Sequence, residues 1–119
     1  MKIIALHGGM RGFDIPGAIF VITGDLRLYQ NEYERNTLFV DGGIFLMNLL
    51  YALDSLGLVA CPLIWGSEPS DDKKLSEILN IKPHEKIVAW ISAGYCPGKA
   101  FKAAISSKRD LNTILRIIE

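Results

Sequence analysis

The sequence predicts an α+β fold, an α/β sandwich in which a mixed central sheet packs against one buried helix. From Ile44 to Leu53 nine of ten residues are apolar, and only Asn48 interrupts the run. Apolar runs of strand length lie on both sides of it, AIFVIT before and LVACPLIW and EKIVAWISA after. The chain has 119 residues, of which 50% are hydrophobic. This length and composition suit a single domain with one core.

The first part of the chain predicts a loop, a strand and a helix. The stretch HGGMRGFDIPG is dense in glycine. Its glycines fit neither the GxGxxG nor the P-loop spacing, so a plain entry loop is the better interpretation than a phosphate-binding loop. Ala18 to Thr23 is a continuous apolar run, which predicts a strand buried on both faces. Leu26 to Thr37 mixes apolar and charged residues and predicts a partly exposed amphipathic helix.

The stretch DGGIFLMNLLYALDSLGL predicts a central helix over residues 43–56. We expect Asp41 or one of the following glycines to cap its start, and Gly57 to end it in the left-handed conformation. The apolar residues go nearly all the way round the helix, so we expect it to be covered on most sides, within one domain or by a partner subunit. The run is shorter than the roughly 20 residues that a membrane span needs, and no membrane partner is predicted.

Two further strands are expected in the second half of the chain. Leu58 to Trp65 is apolar but contains Pro62. Proline has no N–H to donate, so this strand either ends there or lies at an edge of the sheet. Glu85 to Ala93 predicts a third, buried strand.

The remaining segments predict two short helices. Ser70 is expected to cap a helix that carries two aspartates in its first turn and ends at Asn80. We interpret those aspartates as a solvated helix start rather than a metal or acid/base pair. The basic stretch from Lys99 to Lys108 predicts extended chain, after which Asp110 is expected to cap a last short helix.

Composition excludes several classes of function. Thirteen basic and thirteen acidic residues cancel, which gives no electrostatic argument for nucleic acid as a partner. Cys61 and Cys96 lie far apart and no export signal is recognisable, so we expect reduced thiols in a cytoplasmic protein. His7 and His84 have no second ligand at metal spacing, and we predict no metal site. No motif assigns a catalytic residue, so a cofactor would carry any difficult chemical step.

Several motifs in order resemble the C-terminal half of the FMN-dependent nitroreductase family. They are GLVACP, LSEILNI, PHEKIV and ISAGYCPGK, with a tail SKRDL followed by Ile114-Leu115. GAIFVITGD resembles the first core strand of that family, so the resemblance covers roughly residues 15–118. It implies an FMN-dependent oxidoreductase that takes electrons from NAD(P)H and passes them to a small electron-poor acceptor. It also implies a homodimer built around the central helix, with the tail crossing to the partner.

The resemblance also implies which residues would contact the flavin. The strand-end residues would lie against the isoalloxazine ring and the tail cations would reach the phosphate: Pro62, Leu63, Ile64, Trp65, Lys108 and Arg109. Trp65 is equally well interpreted as a packing residue at a strand end, and the two cations as part of a solvated basic tail. Ile64 stands where the family commonly has a polar residue, which puts hydrogen bonding to the ring in doubt.

One part of the family pattern is absent from this sequence. No Arg-Ser-x-Arg motif, which grips the FMN phosphate in the family, occurs in the chain. We therefore interpret residues 1–119 as a single nitroreductase-like domain without the N-terminal helices of the family, in which FMN binding is weak or lost. Two alternatives stay open. One is a non-catalytic nitroreductase-like relic or binding module without flavin, and the other is an unrelated α/β module that shares the pattern.

Overall fold

A computed structural model of the chain describes residues 2–10, 12, 14–66, 68–96, 98 and 107–118. The helices and strands follow in the order α1 (Lys2–Leu6), β1 (Ala18–Asp25), α2 (Thr37–Ser55), β2 (Leu58–Leu63), α3 (Pro69–Leu79), β3 (Glu85–Tyr95) and α4 (Leu111–Ile114). Single turns of 3-10 helix lie at Gly8–Met10, Leu26–Leu28 and Glu32–Glu34. All three predicted strands are present, and β1 and β3 each extend two residues further than predicted.

The described sheet has the strand order β1-β3-β2, and both neighbouring pairs are antiparallel. The mixed sheet that we expected is therefore not found among the described strands. β1 and β2 run in the same direction, but β3 lies between them, so no two neighbours are parallel. Pro62 lies on β2, at an edge of the described sheet, as its missing N–H requires.

A β-bulge in β3 shapes the face of the sheet that meets α2. Ile22 pairs with Ala89 and Thr23 with Ile87, which leaves Val88 as the extra residue. A bulge of this kind turns two consecutive side chains toward one face. Val88 and Ala89 accordingly both pack against the core under α2, which is formed by four buried residues: Ile22, Leu53, Ile91 and Ala93.

The central helix begins earlier than we predicted. It starts at Thr37 rather than at residue 43, so Asp41 lies inside the helix and does not cap it. The Asp41 carboxylate instead accepts a hydrogen bond of 3.0 Å from the Tyr29 hydroxyl. The predicted end is confirmed, because Gly57 adopts φ +73°, where glycine avoids the cost of a Cβ.

The prediction of an amphipathic helix over residues 26–37 is wrong. Two 3-10 turns occupy this stretch instead. The Asp25 side chain accepts a hydrogen bond from the Arg27 backbone N–H, and the Asn31 side chain accepts one from the Tyr33 backbone N–H. Side chains of this kind satisfy backbone donors locally and compete with a continuous helix.

Within one chain α2 is covered on one face only. Leu38, Gly42 and Leu53 are buried. Six large apolar side chains of the helix are nevertheless exposed, at 45% to 69% of their surface. Val40, Ile44, Met47 and Tyr51 lie on the side opposite the core, while Phe39 and Phe45 lie on its flanks. The expectation that α2 is covered on most sides is therefore not met inside a single subunit.

The stretch Glu32–Ser55, which includes α2, is long and apolar enough to cross a membrane by length and composition alone. This differs from our expectation, because the helix is longer than the uninterrupted apolar run within it. The core helix of a soluble protein passes the same test, so the observation is weak.

Helix α3 lies on the side of the sheet away from α2. Trp90 follows the alternation of β3 to the face opposite that of Ile91, and its stacking partner Trp65 is bonded to α3. α1 packs against α3. Ser70 does not cap α3, because the helix starts at Pro69 with Glu68 as the preceding residue. The predicted end is confirmed, since Asn80 is left-handed at φ 55°.

The last described segment, residues 107–118, is exposed throughout. Asp110 caps α4 as predicted, since its carboxylate accepts a hydrogen bond of 2.8 Å from the Asn112 backbone N–H. The extended conformation predicted from Lys99 to Lys108 falls largely on residues 99–106, which lie outside the described residues.

Two adjacent glycines of α2 provide a test of this packing. A Cβ on Gly42 would lie 2.6 Å from Val88 Cγ1, whereas nothing lies within 4 Å of a Cβ on Gly43. Alanine gains about 1 kcal/mol of helix propensity at either site, but overpacking costs about 1–3 kcal/mol. We expect Gly43→Ala to raise the free energy of unfolding above that of the wild type. Gly42→Ala should have a lower free energy of unfolding than Gly43→Ala. Urea denaturation of both variants measures the difference, and equal stabilisation would contradict the close approach.

Candidate functional site

The predicted flavin-contact residues of the strand lie where β2 leaves the sheet. Pro62 and Leu63 are the last residues of β2, opposite Ile91 and Trp90 of β3. Pro62 is exposed, Leu63 is half-buried, and Ile64 is 89% exposed. The end of β2 therefore presents a small apolar surface to solvent, which is the type of surface that an aromatic ring face contacts.

Trp65 is held inward, unlike its neighbour Ile64. Its ring stacks on that of Trp90, with the centroids 4.9 Å apart and the planes 7° from parallel. Its Nε1–H donates a hydrogen bond of 2.6 Å to Asp72 Oδ1, in the first turn of α3. The structure thus places Trp65 in contact with both β3 and α3.

His7 completes an aromatic cluster with the two tryptophans. Its ring centroid lies 5.2 Å from that of Trp90 and 5.9 Å from that of Trp65. His7 is 5% exposed, and neither of its ring nitrogens has a hydrogen-bond partner among the described residues. The same holds for Trp90 Nε1. The cluster therefore contains buried polar ring nitrogens as well as aromatic carbon atoms.

A small cavity of about 80 Å³ adjoins this cluster. The residues that line it come from the N-terminal segment and from the end of β2: Leu6, His7, Gly8, Gly9, Ile64, Trp65 and Gly66. Sequence reasoning assigned His7 to an entry loop, Trp90 to a buried strand and Asp72 to a solvated helix start. Nothing in their spacing along the chain could have brought these three residues together.

The predicted phosphate contacts lie on the exposed tail. Lys108 and Arg109 precede α4 and are exposed. Within the described part of the chain, neither side chain forms a hydrogen bond or an ion pair. No such bond therefore connects the two cations to the described end of β2. Both cations are thus free to bind an anion, but the structure does not itself bring the two parts of the predicted site together.

A groove of about 880 Å³ runs between β1 and α2 and was not predicted. Apolar side chains of both elements line most of it, and Asp25, Tyr29, Asp41 and Glu85 lie among its polar residues. Desolvation raises the pKa of Tyr29, and the hydrogen bond to Asp41 raises it further. Tyr29 therefore stays a neutral donor toward Asp41 at neutral pH.

The Asp25 carboxyl is strongly perturbed by its neighbours. The Arg27 guanidinium donates to both of its carboxylate oxygens, with Nη2 2.6 Å from Oδ2. These side-chain hydrogen bonds, together with the Arg27 backbone N–H, lower the pKa of Asp25 from 3.8 to about 2. His84 Nε2 lies 3.9 Å from the same carboxylate. The pair is solvent-exposed, so it is a local brace rather than a large source of stability.

Metal ligands do not gather in the described part of the chain. No group of three or more His, Cys, Asp or Glu side chains there is placed to hold an ion. Cys61 and Cys96 are both free and exposed. The candidate residues therefore form an apolar strand end beside an aromatic cluster, with two cations on a separate exposed segment.

Residues 7–95 match the Nitroreductase family. Three solved structures have a similar fold, and all are under 25% identical. A nitroreductase family protein from Streptococcus pneumoniae has a TM-score of 0.56 and 24% identity over 75% of this chain and 42% of its own. A putative NADH oxidase from Clostridium acetobutylicum has a TM-score of 0.66 and 19% identity over 94% of this chain and 64% of its own.

The nitroreductase CinD from Lactococcus lactis, solved with nicotinic acid, has a TM-score of 0.59 and 19% identity over 85% of this chain and 55% of its own. The chain thus spans between 42% and 64% of the length of these three structures. No curated protein sequence matches the chain. These comparisons agree with the α+β architecture described above.

The Asp25–Arg27 pair predicts a specific dependence on pH. The folded protein holds the pKa of Asp25 at about 2 against 3.8 without its partners, so this stabilisation is present above pH 3.8 and is lost as the pH falls toward 2. Arg27→Ala should return the pKa of Asp25 toward 3.8. Carbon-13 NMR titration of the carboxyl group measures it, with Arg35→Ala as the control arginine. A pKa that stays near 2 in Arg27→Ala would contradict the assignment.

Proposed function

This chain belongs to the nitroreductase family, and from that premise we propose that it is an FMN-dependent oxidoreductase. It would take electrons from NAD(P)H and pass them to a small electron-poor acceptor, and it would act in the cytoplasm. The observation that carries the proposal is the family match over residues 7–95. Members of the family generally bind FMN and use NAD(P)H.

The residues present are of the types that a flavin needs. The exposed apolar end of β2 suits one face of the ring, and the unpaired Lys108 and Arg109 suit the phosphate. Bound FMN would supply the hydride and electron chemistry, which explains why the chain needs no acid/base pair of its own. The task of this chain is then to position the ring, exclude water from one face and neutralise the phosphate.

A second candidate is a nitroreductase-like module that holds no flavin. Two observations favour it. Trp65 is already stacked on Trp90 and bonded to Asp72, so that ring face is not available to a flavin. Ile64 offers no side-chain hydrogen bond to the ring, and no Arg-Ser-x-Arg motif occurs in the sequence. A flavin-free module would use the same fold for binding alone.

We also propose a homodimer that covers the outer face of α2. Val40, Ile44, Met47 and Tyr51 follow the spacing i, i+4, i+7, i+11, so they form one apolar stripe along the helix. An exposed apolar surface of this kind is typical of a protein interface. Family members are typically dimers. The apolar residues of the exposed tail offer a second surface for the partner: Leu111, Ile114, Leu115, Ile117 and Ile118.

The first prediction from this proposal concerns FMN affinity. Charge-assisted hydrogen bonds are worth about 1.5–3 kcal/mol each, so two missing phosphate contacts weaken binding by about two to four orders of magnitude. We expect the 119-residue chain to purify pale or colourless and to bind added FMN only at high micromolar levels or weaker. An absorbance scan and a flavin fluorescence titration measure this.

Replacing the tail cations is the matched experiment. The double variant Lys108→Ala, Arg109→Ala should weaken FMN binding further and reduce its dependence on salt, because fewer charges then face the phosphate. Lys73→Ala with Lys74→Ala removes the same charge from α3 and is the control. Affinity unchanged in the tail variant would show that the tail does not contact the phosphate. No binding by the wild type at any FMN concentration would favour the flavin-free module.

The second prediction concerns the dimer. Tyr51→Glu places a charge in the apolar stripe of α2, and burying it unpaired costs several kcal/mol. We expect this variant to be monomeric, while Tyr33→Glu, which changes an exposed tyrosine outside the stripe, stays dimeric. Light scattering at micromolar concentration distinguishes the two. A wild type that is already monomeric would refute the dimer, and wild type that partitions into lipid vesicles would point to a membrane contact instead.

A further inference from the structure

The chain leaves β2 through a segment with little backbone support. β2 ends at Leu63, and residues 64–66 have no regular secondary structure. Outside the regular elements, no backbone hydrogen bond between described residues involves Trp65 or Gly66. A segment of this kind moves freely unless a side chain anchors it, because nothing else offsets its conformational entropy.

Trp65 is the anchor, and it is attached to two rigid parts of the fold. On one side its ring lies parallel to that of Trp90, which is fully buried in the central strand β3. On the other side its Nε1–H reaches Asp72 at 2.6 Å. A carboxylate acceptor makes this a charge-assisted hydrogen bond, which is stronger than one between neutral groups. We call Trp65, Trp90 and Asp72 the tryptophan clamp.

We propose that Trp65 and Asp72 are positioning residues, which fix the backbone of residues 62–66 so that Pro62 and Ile64 face outward as a preformed contact for the flavin ring. This inference rests on the proposed function, and it gives Trp65 a role behind the contact surface rather than in it. Alternation along the chain explains the division, since Ile64 is 89% exposed while the next side chain is held inward. A preformed surface binds more tightly because less conformational freedom is lost on binding.

His7 supports the clamp from the N-terminal segment. It lies within 5.9 Å of both indole rings by centroid distance, and a Cβ on Gly9 would come 3.2 Å from His7 Cε1. Glycine at that position therefore leaves room for the imidazole beside the tryptophans.

The test uses the full chain with four variants. Asp72→Ala removes the acceptor, Asp72→Asn keeps an acceptor oxygen without the charge, and Trp65→Phe keeps a ring on Trp90 without the N–H donor. Glu77→Ala is the control, because Glu77 is an exposed carboxylate of the same helix that does not belong to the clamp. Nitrogen-15 relaxation of the backbone of Ile64, Trp65 and Gly66 is the first readout, and it does not require FMN.

We expect backbone order parameters of about 0.85 for this segment in the wild type and below about 0.6 in Asp72→Ala and Trp65→Phe. Asp72→Asn should recover part of the loss, and Glu77→Ala should leave the segment unchanged. Order parameters that stay at the wild-type value in Asp72→Ala would overturn the inference, whatever the FMN affinity.

FMN affinity is the second readout. Asp72→Ala and Trp65→Phe should each weaken binding by about tenfold to a hundredfold, the range of one charge-assisted bond. Because both remove the same bond, the double variant should be little weaker than either single variant. Fully additive losses would overturn the shared role. A segment that loosens as expected in a protein that binds no FMN would refute the proposed function and leave the clamp in place.

Discussion

The close approach of α2 to the central strand is the constraint on which the rest of the structure depends. The bulge in β3 turns Val88 toward the helix, and only a residue without a Cβ fits opposite it, which is Gly42. Gly24 leaves room for the Leu38 side chain in the same way, since a Cβ on Gly24 would lie 2.6 Å from Leu38 Cγ. Helix and sheet can therefore close on a small core of Ile22, Leu53, Ile91 and Ala93. Packing at this distance fixes the rotation of α2 and hence which of its side chains face outward.

The same rotation leaves α2 with a second apolar face that the chain does not cover. A helix that is apolar nearly all round needs partners on several sides, and one three-stranded sheet covers only one of them. The exposed tail carries five more large apolar residues. The subunit thus has more apolar surface than its own elements bury, which is why association with a second copy is part of the proposed function.

The two faces of β3 have different roles. Ile91 and Ala93 build the core with α2, while Trp90 on the other face supports Trp65. Trp65 is in turn held by α3, so the end of β2 depends on two other elements, β3 and α3. Pro62 and Ile64 at the end of β2, and Lys108 and Arg109 on the tail, lie outside this arrangement and are exposed. Ile64 and Trp65 are thus neighbouring residues with opposite orientations.

The sequence by itself determined the α+β class, the three strands, the helix ends at Gly57 and Asn80 and the cap at Asp110. These features depend on local periodicity and on backbone preferences of single residues, which neighbouring residues in the chain reveal. The start of α2, the antiparallel order of the sheet, the bulge at Val88 and the clamp around Trp65 were decided only by the tertiary structure. Each depends on contacts between residues that are not neighbours in the chain. Asp41 accepts a hydrogen bond from Tyr29 instead of capping a helix, and Trp65 contacts Trp90 and Asp72. Contacts of this kind leave no periodic pattern in the chain, so sequence reasoning could place Pro62 to Trp65 at a strand end but could not tell which of these side chains faces the solvent.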